Sequence, residues 1–384
     1  MLIKDKQIAI VGGGPGGLTA ARLLQLRGVA VKVYERDASP QARVQGSPLD
    51  MHEDSGWAAL RQADLVEEFR RNIRHGADRK IVTDKHAHVQ FSDHAPAGAD
   101  SPEPARPEID RGALRQLLLA SLRPGTVEWD RQFVSLEREG EGWRLYFKNG
   151  PAAYADLVIG ADSANSKIRP YLTPVRPVYA GITMLEINVP AAATTAPVLH
   201  AQLNGGKVMA FGDSKCLLGG QKGTADLGFY ASFKTAENWA TTSGVNYGDS
   251  AQLLAWFKQE YAGWSSRWDE LFAQASPPAV PRPLYYMPLD QNWEAQPNLT
   301  LLGDAAHVMP PFAGEGANTA MRDALELSQY LTSANHATLR EAIATYEIAM
   351  RARAAQATHI SLANGERMHS PDALEKMLAI FTGR

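Results

Sequence analysis

The feature that most constrains this chain is a strand, loop, helix and strand pattern at its start. An apolar run over residues 7–11 has the length of a buried strand. Three glycines after it fit the pattern G-x-G-x-x-G: Gly12, Gly14 and Gly17. A helical pattern then continues to Gly28, and a β-branched run leads to Glu35. This order predicts a parallel βαβ unit that binds a dinucleotide.

Each residue of this unit has a mechanical reason for its place. Gly12 allows a tight turn, Gly14 lets a pyrophosphate approach the backbone, and Gly17 lets the helix pack closely on the strand. The N–H groups at the start of the helix can bind the phosphates. Glu35 can accept hydrogen bonds from both ribose hydroxyls, and its charge would repel a 2′-phosphate. The loop therefore predicts FAD or NAD, rather than NADP, at this site.

A second glycine-bearing segment lies past three quarters of the length, over residues 299–318. A predicted strand places Asp304 at its carboxyl end, which is the edge where parallel sheets bind ligands. Asp304 can accept hydrogen bonds from ribityl hydroxyls, and Gly314, Gly316 and Asn318 open a helix. The N-terminus of that helix can stabilise negative charge on a reduced flavin ring. The two segments together predict FAD.

Composition narrows the classes of partner. The chain has 384 residues, 45% of them hydrophobic, and a formal net charge of −3. This charge favours small-molecule ligands over nucleic acid. The single cysteine, Cys216, argues against a disulfide framework and a cysteine-based metal cluster, and no metal site is expected. Without a signal peptide or a membrane-length apolar run, we expect a cytoplasmic monomer that makes no membrane contact.

The periodicity of the chain predicts an α/β fold, with a Rossmann-like FAD-binding domain, an inserted antiparallel-sheet substrate domain and a long C-terminal helix. The predicted boundaries are 1–173 and 289–335 for the discontinuous FAD-binding domain, 174–288 for the substrate domain and 336–384 for the C-terminal helical segment. A helix is predicted over 250–260. The stretch 76–110 is rich in His, Asp and Pro and is predicted to be irregular.

Three motifs occur along the chain in a fixed order. They are G-x-G-x-x-G at Gly12–Gly17, a D-G-like motif at Asp156–Arg169 and a G-D motif at Gly303–Asp304. This order resembles the class A flavoprotein monooxygenases, the family of para-hydroxybenzoate hydroxylase. Further stretches, such as 33–37, 107–111 and 303–316, are similar to the tetracycline-inactivating members of that family.

The resemblance implies roles for residues that bind the cofactors FAD and NADPH. Glu35 and Arg36 would bind the adenosine half, Asp50 and Arg111 would contact the flavin, and Arg43 would meet NADPH. From the residues and the resemblance together, the predicted cofactor set is Gly12, Gly14, Gly17, Glu35, Arg36, Arg43, Asp50, Arg111, Arg115, Asp304, Pro311, Gly314, Gly316 and Asn318. For Arg111 and Arg115, a solvated helix face is the alternative. The chain departs from the family at Ser163, where glycine is usual, and this bears on how NADPH is positioned.

The resemblance also implies a substrate pocket, lined by Glu186, Lys207, Met209, Gly228, Pro310 and Phe312. Glu186 replaces a glutamine of the tetracycline group, Lys207 an arginine and Gly228 a histidine, so the pocket is lined differently. An ionised Glu186 would disfavour an anionic substrate and could pair with an amine, whereas a glutamate that faces solvent is the alternative. Pro310, Pro311 and Phe312 would wall the flavin ring or form a rigid turn.

The resemblance further implies a reaction. NADPH would reduce FAD, O2 would form a C4a-hydroperoxyflavin, and one oxygen would enter a phenolic, enolic or polycyclic polyketide substrate. No protein side chain would be catalytic, because the cofactor supplies the chemistry. A tetracycline is a candidate substrate, and the activity would then be antibiotic inactivation. Two alternatives remain: a flavin-dependent oxidase or dehydrogenase that inserts no oxygen, and a non-catalytic flavin-binding module.

Overall fold

The computed structural model describes residues 2–42, 48–93 and 106–383. Within these ranges the chain forms seventeen β-strands. They are β1 (Ile8–Val11), β2 (Val31–Tyr34), β3 (Leu49–Asp50), β4 (Lys80–Asp84), β5 (Val89–Ser92), β6 (Glu108–Ile109), β7 (Val127–Glu128), β8 (Phe133–Glu139), β9 (Gly142–Phe147), β10 (Ala153–Ala155), β11 (Leu157–Gly160), β12 (Val178–Val189), β13 (Lys207–Gly212), β14 (Lys215–Gln221), β15 (Leu227–Lys234), β16 (Val280–Tyr286) and β17 (Leu299–Leu301).

The same ranges contain thirteen α-helices. They are α1 (Pro15–Leu26), α2 (Gly56–Gln62), α3 (Val66–Arg70), α4 (Arg111–Ala120), α5 (Ala192–Thr195), α6 (Pro197–Leu203), α7 (Trp239–Thr242), α8 (Ser250–Glu260), α9 (Asp269–Ala273), α10 (Asp304–His307), α11 (Gly316–Thr332), α12 (Leu339–Met368) and α13 (Ala373–Thr382). The predicted α/β class is confirmed, and α8 has the bounds that the sequence predicts. The long C-terminal helix is α12, which begins with a capping box made by Thr338 and Glu341.

A five-stranded sheet carries the nucleotide-binding pattern. Its order is β17-β11-β1-β2-β7, and all of its neighbouring strands run parallel. The three strands β17, β11 and β1 are buried along their whole length, because parallel sheets are covered by helices on both faces. Helix α1 connects β1 to β2 and ends just before Gly28, whose φ of 77° favours glycine. The predicted βαβ unit is confirmed.

A seven-stranded sheet forms the second layer, in the order β16-β12-β15-β14-β13-β4-β5. Its pairings are antiparallel except for the parallel pair of β13 and β4. One face of this sheet packs on helices α6, α8 and α9 through buried side chains that include Leu185, Phe229, Phe257 and Trp268. The opposite face is partly covered by α12 and α13, through an apolar cluster that includes Cys216, Met368 and Met377.

The prediction that 76–110 is irregular is wrong for three segments within it, which form β4, β5 and β6. Strands β4 and β5 lie there and form one edge of the seven-stranded sheet. Their formation depends on pairing with β13, which is more than 100 residues away, so local composition does not reveal it. Val82 is fully buried and Ile81 is nearly so, although polar residues flank them.

The predicted domain boundaries stay a prediction. Strands β4 and β5 fall within the segment 1–173, yet they hydrogen-bond into the seven-stranded sheet rather than the five-stranded one. The C-terminal helix α13 also packs on that sheet, in a small apolar cluster that contains Val82, Phe211 and Met377. No helix in the described ranges combines the length and the apolar character needed to cross a membrane.

Candidate active site

The glycine loop after β1 leaves no room for side chains at two positions. Gly12 has a φ of 114°, and a Cβ there would lie 2.2 Å from the carbonyl oxygen of Ala161. A Cβ at Gly17 would lie 2.1 Å from the carbonyl oxygen of Gly12. Gly14 differs, because a Cβ would meet nothing within 4 Å at this N-cap of α1. The open space above Gly14 suits a phosphate that binds the helix N-terminus.

Glu35 lies at the end of β2 and is buried beside this loop. Its carboxylate accepts hydrogen bonds from the backbone N–H of Gly13 at 2.6 Å and of Asp37 at 3.0 Å. Arg36, the next residue, is exposed. A cavity at this point is lined by Gly13, Gly14, Glu35, Arg36, Asp162 and Ser163. The structure thus brings the predicted adenosine-binding residues together around one cavity.

Asp304 is the first residue of α10, directly after the strand β17 and Gly303. The surrounding protein desolvates its carboxyl group and raises its pKa, against the opposing charges of His307, Arg111 and Arg169. The side chain nevertheless keeps an accessible surface. Gly303 has a φ of 60°, and its N–H donates to the carboxylate of buried Asp323 at 3.0 Å. A ligand could therefore reach the Asp304 carboxyl from the sheet edge.

Arg169 ties the D-G-like motif to the G-D motif. Its guanidinium donates to the carbonyl oxygens of Ala305 at 2.7 Å, of Asp304 at 3.1 Å and of Ala164 at 2.8 Å. The Ser166 hydroxyl accepts a hydrogen bond from the backbone N–H of Arg169 at 2.9 Å and so holds the backbone of this residue in place. The sequence matched Arg169 to a motif but did not show that it holds the backbone of Asp304.

Ser163 occupies the position where the family usually has glycine. Its φ of 70° lies in the left-handed region, which non-glycine residues adopt at a cost. The side chain is exposed and lines the same cavity as Glu35 and Arg36. The serine therefore adopts a backbone conformation that favours glycine.

Asp50 belongs to a group of polar side chains around His52. The His52 imidazole bonds the Asp50 carboxylate at 2.9 Å through Nε2 and approaches the Glu315 carboxylate at 3.3 Å through Nδ1. Hydrogen bonds from these two acids raise the pKa of His52 to about 9, although burial opposes the shift. His52 is therefore a cation at neutral pH. His52 and Glu315 are absent from the predicted site. The spacing Asp-x-His at Asp50 was a signal that could have found His52.

Asn318 fastens this group to helix α11. Its side-chain oxygen accepts from the N–H of His52 at 3.0 Å and of Gly56 at 3.3 Å, while its nitrogen donates to the carbonyl of Asp50 at 2.9 Å. The Asn318 amide is thus engaged by protein. Gly314, with a φ of 69°, lies beside the Asp50 carboxylate, and an added Cβ would be 3.5 Å from its oxygen.

The predicted arginines have different environments. Arg111 begins α4 and is exposed, and its charge acts on Asp304. Arg115 is buried, donates to Asp37 at 2.8 Å and to the carbonyl of Pro40 at 3.3 Å, and so does not lie on a solvated face. Arg43 lies outside the described residues.

A short turn over Pro311–Ala313 precedes Gly314. The Pro310 carbonyl accepts from the Ser361 hydroxyl, and the Phe312 carbonyl accepts from the Asn364 side chain at 3.0 Å. Both partners lie on α12, so the long helix holds the turn from behind. Gly316 opens α11, and nothing lies within 4 Å of a Cβ added there. The turn is rigid, and it lies where a wall for the flavin ring is predicted.

The predicted substrate residues on the seven-stranded sheet share one face. In adjacent strands Glu186 pairs with Tyr230, Tyr230 with Leu218, and Leu218 with Met209. The neighbouring row runs through Asn188, Gly228, Gly220 and Lys207. Because side chains alternate along a strand, this face lies opposite the one that packs on α8. The structure thus brings together Glu186, Lys207, Met209 and Gly228, and we call this surface the front face.

Charges on the front face are paired. The Glu186 carboxylate bonds the Arg282 guanidinium at 2.8 Å and 2.9 Å. Glu186 therefore has a cationic partner within the protein. At the other end of the face, the Lys207 ammonium contacts the carboxylate of Glu108 on β6. Glu108 was not predicted as a site residue, and its partner is 99 positions away, so no local pattern points to it.

The sequence matches the model of the FAD binding domain family over residues 5–211 and 291–361. This match covers more than half of the chain. The chain therefore belongs to the FAD binding domain family, with the fold of the class A flavin monooxygenases. The resemblance drawn from the three motifs is confirmed.

Two relatives are similar over nearly the whole chain. Monooxygenase penA from Penicillium thymicola is 26% identical over 427 residues, which cover 97% of this chain and 97% of penA. The 3-amino-4-hydroxybenzoate 2-monooxygenase from Streptomyces cremeus is 28% identical and covers 98% of this chain and 91% of its own. Together with the family, these relatives define the enzyme class of this chain, an FAD-dependent monooxygenase of the aromatic hydroxylase type.

Among solved structures, the tetracycline destructase Tet(55) superposes with a TM-score of 0.76. The superposition covers 100% of this chain and 96% of that structure, at 17% sequence identity. At this identity the likeness shows a shared fold.

Proposed function

We propose that this protein is an NADPH-consuming FAD monooxygenase that inserts one oxygen atom from O2 into a phenolic, enolic or polycyclic polyketide substrate. The observation that carries the proposal is a series of polar groups that lie on both sheets and on the loops beside them. It begins at the cavity beside Glu35, passes Asp304 and the Asp50–His52 pair, and reaches Lys207 on the front face. This arrangement can hold an extended dinucleotide with its reactive ring beside the sheet.

The residues present fit FAD. A Cβ at Gly14 or Gly316 would meet no other atom within 4 Å, and each glycine lies at the start of a helix. Helix N-termini favour negative charge, so α1 suits a pyrophosphate and α11 suits the electron-rich ring of a reduced flavin. Glu35 would accept from ribose hydroxyls and Asp304 from the ribityl chain. The proposed set of FAD-binding residues is completed by Arg36, Asp50, Arg111, Arg115, Pro311, Gly314 and Asn318.

Bound FAD would supply the redox chemistry and the activation of O2, while the protein orients the ring and sets its electrostatics. Arg169 would position Asp304 through the backbone carbonyls that it binds. His52 would hold the Asp50 carboxylate in one orientation. No protein nucleophile is required in this proposal.

NADPH use remains part of the proposal. Arg43 is proposed to meet NADPH, since arginine forms bidentate contacts with phosphate oxygens. The φ of Ser163 is one that favours glycine, the residue usual at this position of the D-G-like motif. The serine is therefore compatible with NADPH use.

The substrate is proposed from chemistry and from relatives. An electrophilic oxygen attacks a carbon made electron-rich by a neighbouring hydroxyl, which phenols and enols provide. The name of the Streptomyces relative specifies a hydroxybenzoate, and a structural neighbour is a tetracycline destructase. Tetracycline is a candidate, although Glu186, Lys207 and Gly228 line the front face differently from that group. A monomeric, cytoplasmic protein stays our expectation.

The test uses purified protein and its Asp304→Ala variant. We expect the wild type to retain yellow flavin and to oxidise NADPH faster with one member of a panel of phenols, enols and tetracyclines. Asp304→Ala should lose flavin, whereas the control Asp372→Ala, at an exposed helix start, should keep it. A wild type without flavin, or NADPH oxidation that no panel member stimulates, would contradict the proposal.

A further inference from the structure

Glu108 is a buried carboxyl group at the junction of the two halves of the proposed site. It lies on β6, opposite Asp50 on β3 in an antiparallel pair. Two positions after Glu108 comes Asp110, the N-cap residue of α4, which begins at Arg111. Its side chain contacts Lys207 on the front face. The neighbouring residue Ile109 is directed into the core of the five-stranded sheet. Glu108 therefore has proposed flavin contacts on one side and the front face on the other.

The two oxygens of this carboxyl have different environments. Oε1 contacts the Lys207 ammonium, while Oε2 is buried and has no hydrogen-bond partner among the described residues. The Glu108 side chain is 2% exposed, whereas that of Lys207 is 37% exposed. A half-satisfied buried carboxylate pays a desolvation cost, so its neutral form is accessible. Of these two side chains, only that of Lys207 is exposed enough to contact a ligand on the front face.

We propose that Lys207 binds the acidic hydroxyl of the substrate and that Glu108, acting through Lys207, takes up its proton, so that the substrate is bound as its anion without a net change in charge. This inference rests on the proposed function and names its substrate class as an acidic enol or phenol. One Lys207 proton first passes to Glu108 Oε1, which leaves a neutral amine with a free electron pair. The O–H bond of the substrate then breaks, and its proton forms a new N–H bond at Lys207. The products are the substrate anion, an ammonium and a carboxylic acid.

The pKa of Glu108 determines which substrate hydroxyls can give up their proton to it. Burial raises the pKa of Glu108 to about 7, Lys207 opposes this shift, and the charges of Asp50 and Asp78 add to it. Three charged groups thus face Glu108: Lys207 from β13, Asp50 from β3 and Asp78 from the segment before β4. A phenol as weakly acidic as tyrosine, with a pKa of about 10, would keep its proton. A hydroxyl conjugated to a carbonyl or nitro group would transfer its proton at little cost.

The position of the pair is fixed by neighbouring contacts. Asp110 accepts from the Gly223 N–H at 3.1 Å and from Arg74 at 3.3 Å, and Arg74 also donates to the carbonyl of Gln221 at 2.6 Å. These bonds join β6 to the turn between β14 and β15. Glu108 and Lys207 are thus held together by contacts that a ligand would not need to break.

The experiment uses the flavin-loaded protein with 4-hydroxyacetophenone, a phenol conjugated to a carbonyl group, as an acidic probe. The pH lies above the pKa of Glu108 and below the higher pKa of the free probe, so that Glu108 is ionised and the free probe is neutral. Difference spectra report whether the bound probe is ionised, and calorimetry in two buffers of different ionisation enthalpy reports the protons released. For the wild type we expect ionised probe with no proton released and an affinity that is flat with pH. Unsubstituted phenol should bind in its neutral form.

Glu108→Gln should change the proton count and leave the fold intact. Its glutamine cannot take a proton, so an ionised probe should release one proton, and its affinity should fall about tenfold for each pH unit below the pKa of the probe. Lys207→Met should bind only neutral probe. Glu108→Asp should restore the wild-type proton count if Glu108→Gln folds poorly. The control Glu260→Gln, which removes a second glutamate–lysine pair on this sheet, should behave as wild type.

Three results would overturn the inference. They are a neutral bound probe in the wild type, one proton released by both wild type and Glu108→Gln, and no binding of the probe at all. Oxygen transfer to another ligand would leave the proposed function standing in those cases. Conversely, the protein could show the expected proton count and yet never transfer oxygen to any ligand. That result would refute the proposed function and leave the inference about Glu108 standing.

Discussion

The glycine loop and the front face of the seven-stranded sheet differ in what sets their geometry. In the loop, the backbone decides the geometry, since a Cβ at Gly12 or Gly17 would lie about 2 Å from a carbonyl oxygen. On the front face, side chains decide it, and the charged ones have partners on other elements, as Glu186 does with Arg282 and Lys207 with Glu108.

This difference has a consequence for function. A site made by backbone shape tolerates few substitutions and is shared by proteins that bind the same cofactor. A site made by paired side chains can change its ligand by replacing one residue of a pair. We therefore expect the cofactor to follow from the family, and the substrate to follow from residues particular to this chain.

The largest expected effect is at Gly17. In Gly17→Ala the new methyl group would lie 2.1 Å from the Gly12 carbonyl oxygen, so the loop must move. We expect a loss of about 3 kcal/mol in unfolding free energy, by urea denaturation, together with loss of flavin. Gly14→Ala is the matched control and should keep its stability while binding flavin more weakly. Equal destabilisation of the two variants would break the comparison, because it would show that close packing is not what requires Gly17.

His52 links the flavin residues to α11, and its stabilising effect should depend on pH. The pKa of His52 is raised from 6.5 to about 9 in the folded protein. A raised pKa means that the stabilisation is fully present below pH 6.5 and is lost as pH rises through about 9, with an upper limit of about 3 kcal/mol. Denaturation curves across this window should show the loss in wild type and a smaller loss in His52→Asn. A stability that rises over this window only in the wild type would contradict the ion-pair description.

Arg169 tests whether the two flavin motifs depend on one another. Arg169→Met removes three hydrogen bonds to carbonyl oxygens and should lower the unfolding free energy by about 2 kcal/mol. Flavin affinity should fall too, because Asp304 loses its backbone support. Thermal denaturation and flavin titration would check both effects. A variant that loses stability but keeps full flavin affinity would show that flavin binding does not depend on the link between the two motifs.

Ser163→Gly should have a smaller, stabilising effect. Glycine adopts a φ of 70° without the steric cost that serine pays, so we expect a gain of at most about 1 kcal/mol after the entropy of glycine is counted. Ser243→Gly, at a φ of −66°, is the control and should lose stability. If Ser163→Gly also changes the rate of flavin reduction by NADPH, the serine has a role beyond backbone shape.

The smallest expected effect on stability is at Glu186. Glu186→Gln removes one partner of a surface ion pair and should change the unfolding free energy by less than about 1 kcal/mol. Flavin affinity should not change, whereas the ranking of substrates by charge should. An altered flavin affinity would show that the front face and the cofactor site are not independent.

The βαβ unit at the start of the chain was predictable, because its signals are local. Gly12, Gly14 and Gly17 follow directly from β1, and α1 ends just before Gly28, the helix stop. Ser163 also stands out from the motif alone, although only the structure shows its left-handed backbone.

The remaining features depend on contacts that are distant in sequence. Strands β4 and β5 form because β13 is beside them, and Glu108 matters because Lys207 reaches it. Arg115 shows the same limit, since it has the helical spacing of a surface residue but is buried against Asp37. Pairings of this kind are set by tertiary packing, which periodicity and composition do not encode.

The central claim is that this chain transfers an oxygen atom from O2 to a ligand on the front face. The most direct measurement is mass spectrometry of products formed with NADPH and isotopically labelled O2, using the panel of phenols, enols and tetracyclines. We predict a product that carries one labelled oxygen. Unmodified ligands, with hydrogen peroxide equal to the NADPH consumed, would contradict the claim and indicate an oxidase.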